Sequence, residues 1–162
     1  MTHNTFPTTT RMRIASKHQK PCLAITMGDP AGIGPEIIVK ALNSKTVWQV
    51  CHPIIVGSGP ILEKEIRRLG MPLKIVTLQQ DQIKREVRKI KKGYVPILES
   101  MKKPLPRFPS GLPSYIAGKA SIEFIKMAVN LAQNRGISGI VTAPINKKSI
   151  YVAGCNFPGH TE

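Results

Sequence analysis

Apolar residues along the chain fall into short runs that alternate with amphipathic stretches. Residues 22–27 (CLAITM) form one such run, stopped by Gly28, and predict a buried strand. Past the turn, Ile37, Ile38, Ala41 and Leu42 recur at helical spacing. Pro35 suits the first helical position there, and Glu36 complements the positive end of the helix dipole. Residues 53–57 (PIIVG) predict a second strand. A helix is signposted over 60–70: Leu62, Ile66 and Leu69 share a face, acids come early, Arg67 and Arg68 late, and Gly70 stops it. Residues 73–78 (LKIVTL) read as a third strand. The segment DQIKREVRKIKK that follows has Ile83, Val87 and Ile90 at i, i+4 and i+7, and 94–98 predicts another strand. Four prolines and one glycine make 102–113 a linker. An amphipathic helix over 116–135 turns Ala117, Ala120, Phe124, Met127, Ala128 and Leu131 inward. Residues 137–143 (ISGIVTA) are the last strand, ended by Pro144, with a short helix over 146–152. Strands alternating with helices predict an α/β sandwich around a largely parallel sheet.

Charge narrows the class of partner. The 162 residues carry 24 Lys and Arg against 9 Asp and Glu, a net +15, which favours anionic partners such as phosphorylated metabolites, nucleic acid or acidic surfaces. Nine of the cations fall within 84–107, against Glu86 and Glu99. Without the repeated aromatic interleaving of a stacking platform, this segment reads as a solvated amphipathic face, so nucleic acid is not an expected partner. No apolar run approaches the ~20 residues of a membrane span, and no membrane association is expected. Cys22, Cys51 and Cys155 are odd in number and widely spaced, which suits a reducing compartment and a cytoplasmic location. Residues 1–21 hold no acid and lack the apolar core of a secretory signal, and they read as a flexible basic extension ahead of the folded part, 22–162.

The turn GDPAGIGPE puts three glycines and two prolines into eight residues, from Gly28 to Pro35. It follows G-x3-G-x-G-P, which is neither the dinucleotide fingerprint G-x-G-x-x-G nor a P-loop. Two readings stand: a tight connection in which Gly32 and Gly34 take positive φ, or a backbone that must approach a ligand or a neighbouring strand.

Read together, TMGDPAGIGPEII and TAPINKKSIYVAGCNFPGHTE, with the helix beginning AGKASIEFI between them, resemble the 4-hydroxythreonine-4-phosphate dehydrogenase family of pyridoxine biosynthesis over residues 22–162. That family includes relatives acting on 4-phospho-D-threonate and 4-phospho-D-erythronate. The resemblance implies a three-layer fold like that of isocitrate and isopropylmalate dehydrogenases, and a homodimer. It also implies NAD(P), a divalent metal (Zn, Mg or Co) and a phosphorylated hydroxy-acid substrate. The expected reaction is oxidation of 4-phosphooxy-L-threonine with decarboxylation to 3-amino-2-oxopropyl phosphate. By family motif His160 and Thr161 bind substrate, while Asp29, Gly32, Gly34, Thr142, Asn146 and Lys147 are candidates to line the cleft. The nicotinamide-binding residues stay unassigned.

No catalytic residue is assigned to this chain, and no metal ligand: the ligand histidines of the family pattern fall beyond Glu162. His3, His18, His52 and His160 have no metal-site spacing. The chain therefore reads as the first half of the family fold, a truncated form with little activity of its own. The alternative reading is a non-catalytic basic remnant that binds anions or a partner chain.

Overall fold

A computed structural model of the chain describes residues 20–101, 103–134 and 136–155. The basic extension (all but residues 20 and 21) and the pair His160 and Thr161 lie outside the described residues. The elements run in the order β1 (Cys22–Thr26), α1 (Gly34–Asn43), α2 (Lys45–Val50), β2 (His52–Gly57), α3 (Gly59–Arg68), β3 (Lys74–Thr77), α4 (Ile83–Glu86), β4 (Tyr94–Glu99), α5 (Tyr115–Gln133), β5 (Gly139–Thr142) and α6 (Lys147–Val152). Single 3-10 turns flank α4 at Gln80–Gln82 and Val87–Lys89, so the predicted helix there is broken into pieces. α2 has no counterpart in the sequence reading. Its start is set by Ser44, whose hydroxyl accepts from Thr46 N–H at 3.3 Å.

The five strands form one all-parallel sheet in the order β3-β4-β2-β1-β5, flanked by helices. The chain steps from β1 to β2 to β3 in one direction, then returns through β4 to β5 in the other. Right-handed crossovers therefore put α1, α2 and α3 on one face and α4 and α5 on the opposite face. α6 packs against α5.

A sheet buried on both faces needs near-continuous apolar strands, and β2 supplies Ile54, Ile55 and Val56, all fully buried. Phe124 and Ala128 of α5 complete the core on one side and Val39, Leu42 and Leu62 on the other. Of the residues at helical spacing in α1, Ile38 and Leu42 are buried, joined by Val39, whereas Ile37 is exposed. Among the described residues no helix is long and apolar enough to cross a membrane.

Candidate functional site

In a parallel sheet the strand ends leading into helices gather at one edge. Ligands bind there where neighbouring connections leave to opposite faces. β1 and β5 are such neighbours. β1 exits through residues 27–33 to α1 on one face, and β5 exits through residues 143–146 to α6 on the other.

The two exits are tied together. Asp29 N–H donates to Pro144 O at 2.9 Å, and Ala143 N–H to Thr26 O at 3.1 Å. This is where the glycine-rich turn needs its special backbone. Gly28 takes φ 71°, and a Cβ there would overlap Pro144 O and Ala143 O. Gly34 needs its small size because a Cβ would collide with Met27 O. The expectation of positive φ at Gly32 and Gly34 is overturned, since among the described residues of the turn only Gly28 adopts it. Gly32 is exposed, and a Cβ there would meet nothing closer than 3.5 Å. Left-handed backbone is needed where β1 brushes the end of β5, not at the helix start.

Asp29 is 3% exposed, and its carboxylate is fully engaged. Oδ1 accepts from Ala31 N–H at 2.7 Å, and Oδ2 accepts from the Ser149 hydroxyl at 3.2 Å. Ser149 Oγ in turn accepts from Ser114 N–H at 3.3 Å, at the start of α5. On the other side the Ser121 hydroxyl donates to Gly28 O at 2.9 Å. α6 can come this close because Gly118 of α5 has no Cβ to strike Ser149 O. Asn146 caps α6, its Oδ1 accepting from Ser149 N–H at 3.2 Å. Lys147 opens that helix and is exposed, and Thr142 ends β5 opposite Thr26. The structure thus brings Asp29, Thr142 and Asn146 together at the β1–β5 boundary, with Gly28 and Ser149 as the unforeseen partners. Ser121, Ser149 and Gly118 were missed. Their one sequence signal was the cluster of small residues Ala117, Gly118, Ala120 and Ser121.

Open space lies beside this knot, between the starts of α1 and α3. A cavity of about 920 Å³ is lined there by Gly32, Ile33, Glu36, Ser58, Ile61, Lys64, Arg68 and the linker residues Leu105, Arg107 and Phe108. The linker is anchored by Gly111 N–H donating to Ala31 O at 2.7 Å. Two helix N-termini face this space, and neither is capped by its own N-cap side chain. Ser58, the N-cap of α3, is 4% exposed and makes no capping bond. Glu99 at the end of β4 accepts from Gly59 N–H at 2.7 Å. Burial raises the Glu99 carboxyl above its usual range, and that hydrogen bond opposes the rise.

Arg68 is committed to Glu65 at 2.6 Å and Glu36 at 2.7 Å, clamping α3 to α1. Lys40, through its hydrogen bond, and then Arg68 hold the Glu36 carboxyl below its usual range. Lys64 and Arg107 have no acidic partner among the described residues. A buried hydroxyl and two cations without acidic partners suit an anionic group, and the apolar wall suits a carbon skeleton attached to it. The sequence reading named Gly32 for this region but not Ser58, Lys64 or Arg107.

The two buried thiols, Cys22 and Cys51, offer no nucleophile. Burial pushes Cys22 up to about 11 and raises Cys51 as well. Among the described residues no group of three or more His, Cys, Asp or Glu side chains could hold a metal ion.

An open all-parallel sheet flanked by helices, with a cavity beside its carboxyl edge, defines an α/β protein of the doubly wound kind. The chain belongs to the PdxA family, described as pyridoxal phosphate biosynthetic protein PdxA, whose profile matches residues 49–162. It is 38% identical over 146 residues to a D-threonate 4-phosphate dehydrogenase of Cupriavidus necator, covering 88% of this chain and 41% of that protein. It is 34% identical over 143 residues to a 4-hydroxythreonine-4-phosphate dehydrogenase of Trichlorobacter lovleyi, covering 88% and 42%. The crystal structure of a 4-hydroxythreonine-4-phosphate dehydrogenase from Burkholderia phymatum superposes with a TM-score of 0.79 at 34% identity, over 90% of this chain and 42% of that one. The enzyme of that name from Klebsiella pneumoniae gives 0.72 at 27% identity, over 90% and 43%. The chain thus spans about two fifths of the length of the relatives it matches.

Proposed function

We propose that the chain supplies the phosphate-gathering lobe of an NAD(P)-dependent dehydrogenase acting on a 4-phosphorylated hydroxy acid. The observation that carries the reading is the cavity between α1 and α3, with Ser58, Lys64 and Arg107 in its lining. The favoured reaction is oxidation of 4-phosphooxy-L-threonine with decarboxylation to 3-amino-2-oxopropyl phosphate. The second reading, 4-phospho-D-threonate or erythronate as substrate, is favoured by the 38% identity to the Cupriavidus protein. NAD(P), when bound, would accept the hydride. The chain's own part is to bind and orient: the Ser58 hydroxyl donates to a phosphate oxygen, Lys64 and Arg107 balance its charge, and Ile33, Ile61 and Phe108 exclude water.

The described residues do not fit a divalent metal, so no step is derived through one, and His160 and Thr161 stay candidate substrate ligands on the motif alone. A homodimer in the cytoplasm remains part of the proposal, carried by the family resemblance.

The test is calorimetric titration of the full chain with 4-phospho-D-threonate, 4-phosphooxy-L-threonine and inorganic phosphate. Binding of a phosphorylated hydroxy acid that weakens roughly tenfold or more in Lys64→Ala is expected, as for loss of a charge-assisted bond. Lys64→Ala binding as well as the parent chain would overturn the assignment of the cavity.

A further inference from the structure

Part of the chain's excess positive charge lies at one end of the sheet. The parallel strands share one amino edge, opposite the edge that holds the cavity. Lys20 precedes β1, Lys74 opens β3, and Arg88, Lys91 and Lys92 lie in the segment leading to β4; all five are exposed. They converge on one end of the sheet. Lys74 N–H donates to Gly93 O at 3.0 Å, beside Lys92. Lys20 and Arg88 both act on His52 at the start of β2, whose pKa is lowered by burial first and then by those two charges.

None of the five has an acidic partner among the described residues. Most described acids lie elsewhere: Asp29 and Glu99 at the carboxyl edge, Glu36, Glu63 and Glu65 on α1 and α3, Asp81 just past β3, and Glu123 on α5. Glu86, between Lys84 and Lys92, is tied to Lys89 at 2.9 Å.

We propose that this amino edge is a docking surface for the phosphate backbone of duplex nucleic acid, independent of sequence. Ile83 and Val87 of the basic segment are buried in the core and Ile90 packs against it, so the segment presents no row of apolar side chains to a bilayer. Tyr94 is a lone exposed ring, too little to stack successive bases of a single strand. What remains is a set of exposed point charges at one sheet edge, one of which, Lys20, also donates to Trp48 O at 2.7 Å, and such charges suit a phosphate backbone. Along the sequence the basic segment looks like a solvated helix face. Only the fold adds Lys20 and Lys74 to it.

The experiment is fluorescence anisotropy of a labelled random-sequence DNA duplex titrated with the full chain at several KCl concentrations. Five phosphate contacts predict a log–log salt slope of about −4.5, so a roughly fourfold rise in salt weakens binding about 500-fold. The triple variant Arg88→Gln, Lys91→Gln, Lys92→Gln should make the slope shallower by about 2.7. The triple variant Lys103→Gln, Lys119→Gln, Lys126→Gln removes the same charge from the linker and α5, and it should leave the slope unchanged. Thermal melts of both variants confirm that they fold. No binding at low salt, or equal loss of slope in the two triples, would overturn the proposal. So would preferential capture by phosphatidylserine vesicles with the same variant dependence, which would assign the edge to a membrane surface instead.

Discussion

Gly28→Ala tests how the two halves of the site are joined. Gly28 sits at φ 71°, where an L side chain costs about 1–2 kcal/mol relative to glycine. The added methyl would also overlap Pro144 O and Ala143 O, both backbone atoms that cannot swing aside. The end of β1 must then separate from the end of β5, which breaks the 2.9 Å bond from Asp29 N–H to Pro144 O. Losing that bond adds about 1 kcal/mol. The sum is about 3 kcal/mol, or a fall in Tm of roughly 6–12 °C for a chain of this size. Urea denaturation followed by circular dichroism would read it, with Gly32→Ala as the matched control. At Gly32 the methyl meets nothing nearer than 3.5 Å, so its cost should stay within about 0.5 kcal/mol. Equal losses in the two variants, or none in Gly28→Ala, would refute the account of the turn.

Asp29→Ala leaves the Ala31 N–H and the Ser149 hydroxyl without their acceptor, and should cost about 3 kcal/mol by the same denaturation assay. The double variant with Ser149→Ala should cost less than the sum of the single changes, because Ser149 then has no bond to lose to Asp29. His52 gives a pH test. Its folded-state pKa lies below the ordinary 6.5, so the unfolded chain binds the proton more readily. The stability it contributes is present above that value and is lost as pH falls below it. Denaturation curves between about pH 7 and 5 should therefore show a shallower loss for His52→Gln than for the parent, by at most about 1.4 kcal/mol per pH unit. An unchanged slope would refute the burial of that imidazole.

The order and type of most elements could be read in the sequence, because the signals are local. Residues 22–27 are apolar and stop at a glycine, Gly70 takes the left-handed conformation that ends a helix, and Ser114 caps α5 by accepting from Ala117 N–H. α2 escaped notice because its only signal is Ser44, and none of its residues is fully buried. The basic stretch past β3 was harder to read. Its apolar spacing is helical, yet the backbone there shifts between 3-10 and α over ten residues from Gln80 to Lys89.

By itself the sequence determined the alternation of strands and helices, the family through its ordered motifs, and the presence of an exceptional turn at Gly28–Pro35. Strand order, and with it every contact between distant residues, belonged to the tertiary structure. Placing β5 beside β1 turned Gly28 rather than Gly32 or Gly34 into the strained position and joined Asp29 to Ser149. Pairing β2 with β1 set α1 beside α3, and the cavity lies where those helices begin. Periodicity reports which face of an element is buried but not which element covers it. That choice is made by packing and crossover handedness, which no local window contains.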